Sequence, residues 1–330
     1  MAKPNSKWYK LDSAGTLYSA LQKEEYSAIY RFSALMEKDV DPAALQRAID
    51  RCMPRFPTFA VRIRKGAFWY YLEHNSAPGP FLKEDVSDPC QPVRFKEDNG
   101  WLVRFYYYRN RISIEVFHAL SDGGGAIVFF RTLLAEYLRQ TGVDIPAGNG
   151  VLDLNEPPRE EEMEDAYARY AGHHALGLHR QPTAYQNTGT SEPFYTFHVT
   201  MGFVPLSKLR EESKKYGASI TEYLSAVLIY VILEKQKREK PYRLHGVRPY
   251  SCTYTNPGAF TVPPEMAEHI RGAEVILGQA TVPRCHCASI SYGDTMEITF
   301  AGTQAETDTE RDFFRFLVRA GIPVRVESNR

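Results

Sequence analysis

The residues in this sequence best suited to catalysis form one short stretch, in which a histidine is followed by an acidic residue and three glycines. His118 lies four residues before Asp122, and Gly123, Gly124 and Gly125 follow directly. Neutral imidazole can take a proton from a hydroxyl or an amine near neutral pH. The glycines remove side chains where a ligand must pass and permit backbone angles closed to other residues. The pattern predicts a general base, His118, beside a ligand passage.

Asp122 is predicted to have a structural task. A carboxylate in a tight turn cannot both point at a substrate and hold its place in the turn. We therefore expect Asp122 to pair with an arginine and to fix the loop that orients His118.

The flanking residues predict that this stretch is an elbow between a strand and a helix. Trp101–Tyr108 and Arg111–Phe117 are rich in β-formers, and Asn110 between them tolerates the positive φ of a tight hairpin. Apolar residues recur at helical spacing from Ala126 through Arg139. His118 is therefore expected at the end of a strand, just before the turn into the helix.

The remaining sequence predicts strands and helices in two halves. In the first half, Asp41 and Pro42 start a helix that runs to about Met53. A linker rich in Gly, Pro and acidic residues begins near Pro146 and reaches about Pro193. Predicted strands of the first half are 26–32 and a hairpin of 59–64 with 68–72. In the second half, strands are predicted at 194–200 and 323–327, and a hairpin is predicted from 287–292 with 296–300. Helices are predicted at 206–216, 222–235 and 306–320. A capping box at 219–222 opens the second of these helices.

Length and composition bound the class of protein. The 330 residues exceed the roughly 250 to 300 at which single cores stop growing, so we predict two domains, 1–180 and 190–330. Hydrophobic residues at 43% and charged residues at 24% are ordinary for a globular chain. Lys plus Arg and Asp plus Glu both number 40, which argues against nucleic acid and anionic membrane as partners.

Targeting signals and a membrane span are not predicted. The most apolar segment, 223–233, is too short to cross a bilayer, and the N-terminus leads into no apolar signal core. Five scattered cysteines give no disulfide framework. These observations predict a cytoplasmic protein.

Two histidine clusters invite a metal site, which we consider disfavoured. His173, His174 and His179 form one cluster, and Cys285-His286-Cys287 forms the other. Neighbours in a strand point to opposite faces, and neither cluster has a spacing that brings two ligands to one ion. No cysteine is marked as an activated nucleophile.

The stretch Phe117–Gly123 resembles the His-His-x-x-x-Asp-Gly signature of alcohol acetyltransferases, plant BAHD acyltransferases, polyketide-associated acyltransferases and nonribosomal-peptide condensation domains. His118 matches the second histidine, and Phe117 stands in place of the first. Three C-terminal segments are similar to the alcohol-acetyltransferase-like branch of this chloramphenicol-acetyltransferase-like superfamily: 290–294, 313–317 and 321–324.

The resemblance implies an α/β fold, an α+β two-layer sandwich built as two chloramphenicol-acetyltransferase-like lobes with the active site in a tunnel between them. It implies His118 and Asp122 as catalytic residues, and Gly123, Gly124 and Asn256 as substrate-binding residues. Acyl-CoA would be the co-substrate and a small alcohol or amine the acceptor, with direct transfer and no acyl-enzyme. No tightly bound cofactor and no metal are expected.

The second half departs from the family pattern. Members of the branch run longer by roughly a hundred residues, so we expect a reduced C-terminal lobe. The usual arginine partner of Asp122 would be missing, with Arg243 or Arg248 as substitutes. Two alternatives stay open: a two-lobe binding or scaffold protein without turnover, and a condensation-type enzyme whose donor arrives on an acyl carrier protein.

Overall fold

The chain folds into two mixed α/β units in a computed structural model, which describes residues 8–21, 26–67, 69–95, 98–163, 183–186, 189–192, 196–239, 250–279 and 285–329. The first unit comprises Met1–Ser87, Pro92–Leu178 and Thr261–Arg271. The second comprises Asp88–Gln91, His179–Phe260 and Gly272–Arg330. The units differ from the contiguous ranges 1–180 and 190–330 in two short segments, since the chain passes from one unit to the other more than once.

The first unit contains two antiparallel-rich sheets and three longer helices in its described part. The elements are β1 (Trp8–Lys10), α1 (Ser13–Leu21), β2 (Ile29–Met36), α2 (Pro42–Cys52), β3 (Val61–Lys65), β4 (Tyr70–His74), β5 (Leu82–Glu84), β6 (Val103–Tyr108), β7 (Arg111–Phe117) and α3 (Gly123–Gln140), with 3-10 turns at Met53–Arg55, Asp98–Gly100 and Glu160–Met163. Strands β1, β4 and β3 form one sheet in the order β1-β4-β3. The other sheet includes the order β2-β7-β6-β5, with β5 parallel to β6 and the other pairs antiparallel.

Local signals explain several of these elements. The Asp41 carboxylate accepts hydrogen bonds from the backbone amides of Ala43 and Ala44, so the predicted start of α2 is confirmed. The β6–β7 hairpin is also confirmed, but its positive φ falls on Arg109 (49°) and not on Asn110. The side-chain amide of Asn110 instead donates to the backbone oxygen of Met36 (2.7 Å), which ties the turn to the end of β2.

One face of the β2–β7 sheet buries charge. The Arg31 guanidinium forms a bidentate pair with the Asp85 carboxylate, at 2.8 and 2.9 Å, and its Nε donates to Glu115 at 3.1 Å. Arg104 reaches the other oxygen of Glu115 at 3.5 Å. The side chains of Arg31, Asp85 and Glu115 are 5%, 8% and 2% exposed. These charges form ion pairs in the low-dielectric interior, where burying any one of them without a partner would cost several kcal/mol of folding free energy.

The second unit combines a five-stranded sheet with helices. Its described elements are β8 (His198–Pro205), α4 (Leu206–Lys215), α5 (Ile220–Arg238), β9 (Thr253–Thr255), β11 (His286–Tyr292), β12 (Thr295–Gly302), α7 (Asp308–Arg319) and β13 (Arg325–Ser328). The sheet has the order β13-β8-β12-β11-β9, with β9 and β11 parallel and the other neighbours antiparallel. The predicted capping box of α5 is confirmed, since the Ser219 hydroxyl accepts from the Glu222 amide and the Glu222 carboxylate accepts from the Ser219 amide. A short helix α6 (Pro264–Ala267) lies in the first unit, and β10 (Ile270–Leu277) begins there and continues in the second unit.

The sequence and the structure differ at strand boundaries in both units. The β-rich run predicted at 26–32 is a strand at Ile29–Met36, and the strand predicted at 194–200 is described from His198 to Pro205. In the described part of the chain, no single helix is long and apolar enough to cross a membrane, although α4 and α5 together, bent by 77°, pass the same test.

Candidate functional site

The histidine of the motif lies at the elbow that its sequence predicts. Strand β7 ends at Phe117, and α3 begins at Gly123. The backbone amide of His118 donates to the backbone oxygen of Ala28 at 2.7 Å, and that of Leu120 donates to Phe117 at 2.8 Å. Strand β2 thus fixes the backbone of the elbow just where the chain leaves the sheet.

The His118 ring is exposed and is held by two tyrosines. Its centroid lies 4.8 Å from that of Tyr18 and 5.1 Å from that of Tyr30, the second contact being edge-to-face. Neither imidazole nitrogen has a hydrogen-bond partner among the described residues. The aromatic contacts orient the ring while its nitrogens are available to a ligand.

Asp122 is the N-cap of α3. Its backbone is extended, and its carboxylate accepts a hydrogen bond from the amide of Gly125 at 2.8 Å. Among the described residues Asp122 forms no ion pair. Arg243 and Arg248 lie outside those residues, so the predicted arginine partner stays a prediction. The observed contact fixes the turn after His118 by satisfying a free amide of the helix.

Tyr30, a residue that the sequence analysis missed, anchors the same turn. Its hydroxyl contacts the backbone oxygens of Ser121 (2.9 Å) and Asp122 (2.8 Å) as a donor. Burial, with the nearby charge of Asp122, holds the pKa of Tyr30 well above its usual range, so the hydroxyl keeps its proton. Because these contacts span 91 and 92 residues, no local pattern in the sequence indicates them.

Substituting Tyr30→Phe is expected to lower the free energy of unfolding by about 0.5 to 1.5 kcal/mol, since it removes the donor of two part-buried hydrogen bonds. Urea unfolding measures this change. Tyr223→Phe is the matched control, because the buried Tyr223 hydroxyl has no hydrogen-bond partner in the described part of the chain, so its removal should be neutral or stabilising. Equal losses in both variants would contradict the anchoring role of Tyr30.

His118 opens into a cavity of about 520 Å³ within the first unit. Helix α1 forms one wall and packs closely on the elbow, since a Cβ on Gly15 would lie 3.4 Å from that of Ala119. The lining residues are Tyr9, Lys10, Leu11, Asp12, Ala14, Tyr18, Thr58, Leu72, His118, Ala119, Leu120, Ser121, Asp122, Gly125, Glu162 and Met163. A cavity of this size is in the range of small-molecule sites.

A second cavity of about 260 Å³ shares part of its lining with the first. The shared residues are Thr58, Ser121, Gly125, Glu162 and Met163. The remaining lining is mostly apolar: Phe56, Pro57, Phe59, Val128, Leu152 and Pro158, with Arg55. We call this second cavity the side cavity.

An ion pair between a buried arginine and a partly exposed glutamate lies at the side cavity, and its glutamate lines both cavities. The Arg55 guanidinium, 2% exposed, makes a bidentate contact with Glu162 at 2.5 and 2.9 Å. This hydrogen bonding lowers the pKa of the Glu162 carboxyl. Glu162 is therefore an ionised, already paired carboxylate rather than a free acid or base in the site.

The predicted glycines have different surroundings. Gly123 and Gly124 form the first turn of α3, and a Cβ on either would meet only ordinary contacts, at 3.8 and 3.5 Å. Gly125 lines both cavities, and a Cβ there would collide with the Ser121 hydroxyl. The backbone amides of Gly123 and Gly124 have no hydrogen-bond partner among the described residues, as expected at a helix N-terminus.

Asn256 belongs to the second unit. Its side-chain amide donates to the Thr221 hydroxyl at 3.0 Å, and its side-chain oxygen accepts from the amide of Gly258 at 2.9 Å. Both contacts shape the loop after β9. Its predicted role in substrate binding stays a prediction.

The histidine clusters show no metal arrangement in the described part of the chain. His173, His174 and His179 lie outside it. Cys285, His286 and Cys287 run into the start of β11, and burial holds the pKa of the Cys287 thiol well above its usual range. The described residues contain no group of three or more His, Cys, Asp or Glu side chains that could hold a metal ion.

Comparison with known proteins finds similarity at the level of structure. Neither protein-family models nor curated proteins match the sequence. Polyketide synthase associated protein 5 from Mycobacterium tuberculosis matches 96% of this chain and 98% of its own at 13% identity, with a TM-score of 0.64. The first condensation domain of the CDA synthetase matches 97% and 99% at 12% identity, with a TM-score of 0.63. A variant starter condensation domain of rhizomide synthetase, in complex with C8-CoA, matches 95% of each chain at 12% identity, with a TM-score of 0.56.

These similarities show the fold. The chain has the mixed α/β fold of condensation domains and of the polyketide synthase associated protein, which confirms the predicted fold class. At 12 to 13% sequence identity, the similarity shows that the architecture is shared and shows nothing about substrates. The assignment to the alcohol-acetyltransferase-like branch stays a prediction.

Proposed function

We propose that the protein is an acyltransferase that moves an acyl group from acyl-CoA to the hydroxyl or amine of a small acceptor, with His118 as the general base. The observation that carries the proposal is the exposed imidazole of His118, whose nitrogens are unbonded among the described residues, in a cavity of about 520 Å³. The fold, which condensation domains share, supports an acyl-transfer reaction at this elbow.

The proposed reaction needs one proton shuttle. A nitrogen of the His118 imidazole takes the proton of the acceptor as the acceptor oxygen or nitrogen attacks the thioester carbonyl carbon. The tetrahedral intermediate collapses by breaking the carbon–sulfur bond, and the departing CoA sulfur receives the proton from the imidazolium. No covalent acyl-enzyme is required, and atoms and charges balance over the cycle.

Negative charge on the tetrahedral intermediate needs hydrogen-bond donors. The backbone amides of Gly123 and Gly124 are unbonded among the described residues and lie at the N-terminus of α3, where the helix dipole favours negative charge. Asp122 positions them by capping the same helix turn. In this proposal the two glycines act through their main-chain amides, which explains why side chains are not needed there.

The side cavity suits the acyl chain of the donor. Its lining is mostly apolar, and it shares Gly125 and Ser121 with the cavity of His118. One structural neighbour is in complex with C8-CoA, which supports a donor with a chain of medium length. An octanoyl group would then extend past Gly125 while its thioester stays beside His118.

The function is tested by measuring free CoA released from acetyl-, butyryl- and octanoyl-CoA with a panel of alcohols and amines. Release that depends on the acceptor, with the acylated acceptor detected by mass spectrometry, is the expected result. The condensation-domain fold also favours a donor carried on a protein, so the same acyl groups are offered on a phosphopantetheinylated carrier protein. Transfer from the carrier alone would replace the acyl-CoA proposal, and transfer from neither donor would favour a binding or scaffold protein.

Enlarging Gly125 is expected to change donor preference. Gly125→Leu should lower the rate ratio of octanoyl-CoA to acetyl-CoA by tenfold or more, of the order that a few methylenes contribute in an apolar pocket. Gly124→Leu is the matched control, since Gly124 neighbours Gly125 but lines neither cavity. Competition between the two donors in one reaction measures the ratio directly. A ratio equally altered in both variants would contradict the proposed chain pocket.

A further inference from the structure

The second unit carries a groove that the proposed function does not use. Its volume is about 910 Å³, larger than that of the cavity at His118. Val318 and Val326 line it and are 56% and 49% exposed. The other lining residues are Thr200, Thr307, Glu310, Arg311, Phe314, Arg315, Arg319, Val324 and Ser328.

The groove follows from how α7 packs on its sheet. The apolar face of α7 packs on the sheet through three buried side chains, those of Phe313, Phe314 and Leu317. The Phe314 ring occupies the space above Gly202 on β8. Beyond that contact, Val326 pairs with Gly202 at the β13 edge. The groove therefore runs along α7, with an apolar floor built from the helix and the edge of the sheet.

Three arginines follow the same helix along the groove. Arg311, Arg315 and Arg319 are spaced by four residues, so they cover one side of α7 over about 12 Å. Arg311 contacts Asp312 at 3.3 Å. Arg315 and Arg319 have no acidic partner among the described residues. Glu310 is the one carboxylate among the described residues that line the groove.

We propose that this groove binds an acidic amphipathic helix of a partner protein. Apolar side chains of that helix would cover Val318 and Val326, and carboxylates spaced by four residues would face the three arginines. A single small anion would engage one guanidinium and leave the others unmatched. Three cations spread over two helical turns, beside an apolar floor, fit a helix with a repeated acidic pattern.

The test uses a labelled helical peptide of about 18 residues, with leucines along one face and glutamates flanking them at four-residue spacing. Binding to the full chain is measured by fluorescence anisotropy. The double substitution Arg315→Glu with Arg319→Glu is expected to weaken binding at least tenfold, and added salt should weaken wild-type binding. Val318→Thr, which keeps the shape of the side chain but adds a hydroxyl and no charge, should weaken binding to a similar extent at low and high salt, through the apolar floor.

The matched control is Arg210→Glu with Lys214→Glu, two exposed cations spaced by four residues on α4, away from the groove. This variant should bind the peptide as the wild type does. Equal weakening in both double variants would overturn the proposal as general charge attraction. Equal affinity for a peptide with lysines in place of the glutamates would also overturn it. So would binding of laurate or of anionic phosphatidylglycerol vesicles at this groove without binding of the peptide.

Discussion

Substituting His118→Ala is expected to lower the acceptor-dependent release of CoA by about 10²- to 10⁴-fold, the range over which a positioned general base acts. The imidazole is the one group at the elbow with unbonded nitrogens in the described part of the site that can accept a proton. The described carboxylates that line the cavity are already engaged, Asp12 by the amide of Gly15, Asp122 by the amide of Gly125 and Glu162 by Arg55. Among the described residues, the cavity therefore has no unengaged carboxylate to take over the proton.

The His118→Ala variant should fold normally. The ring is exposed, and surface substitutions usually change the free energy of unfolding by less than about 0.5 kcal/mol. His198→Ala is the control, since His198 is a histidine of the second unit, paired with Glu192 at 3.0 Å and outside the motif. A His118→Ala variant that releases CoA at the wild-type rate would remove His118 from the mechanism. A comparable loss in the His198 variant would show that the effect is not specific to the base.

The substitution Arg31→Leu is expected to lower the free energy of unfolding by about 3 to 5 kcal/mol, the largest stability effect we predict. It leaves the Asp85 carboxylate buried without its cation, and it leaves Glu115 with Arg104 in place of two arginines. Urea unfolding, followed by circular dichroism, measures the change. Arg64→Leu is the control, because the Arg64–Glu73 pair is partly exposed and should contribute about 1 kcal/mol or less.

A double variant distinguishes the loss of the ion pair from the cost of an unpaired buried charge. Arg31→Leu combined with Asp85→Leu removes both members of the bidentate pair and leaves Glu115 with Arg104. Apolar replacement of a buried ion pair is often neutral or stabilising. We expect the double variant to recover most of the stability that Arg31→Leu loses. If it is less stable than Arg31→Leu, packing of the arginine and not its charge dominates at this position.

Elements with local signals could be predicted from the sequence. The cap of α2 at Asp41, the capping box at Ser219 and the three predicted hairpins, each with a glycine or asparagine at its turn, depend on neighbours within a few residues. The structure confirms all of them. The elbow at His118 belongs to the same class, since a β-rich run, glycines and an apolar helix follow one another directly.

Features that depend on distant partners were missed. Helix α1 is nine residues long, and its packing on Ala119 is what makes it a wall of the site. The buried charges of Arg31 and Glu115 lie 84 residues apart, and the sequence of each strand reads as ordinary alternation. The turn conformation at Arg109, where Asn110 was expected, follows from the use of the Asn110 amide by Met36.

The backbone at His118 and the wall of its cavity are held by different parts of the first unit. The backbone around the base is held from the sheet, by Tyr30 and by the amide contact of His118 with Ala28. One wall that a ligand would touch is supplied by Ala14 and Tyr18 of α1 and by Asp12, the residue before the helix. Under the proposed function, mutations in α1 at positions other than Tyr18, which packs on the His118 ring, would change acceptor preference while the elbow is retained. A library confined to those positions is the starting point for redirecting the protein to new acceptors.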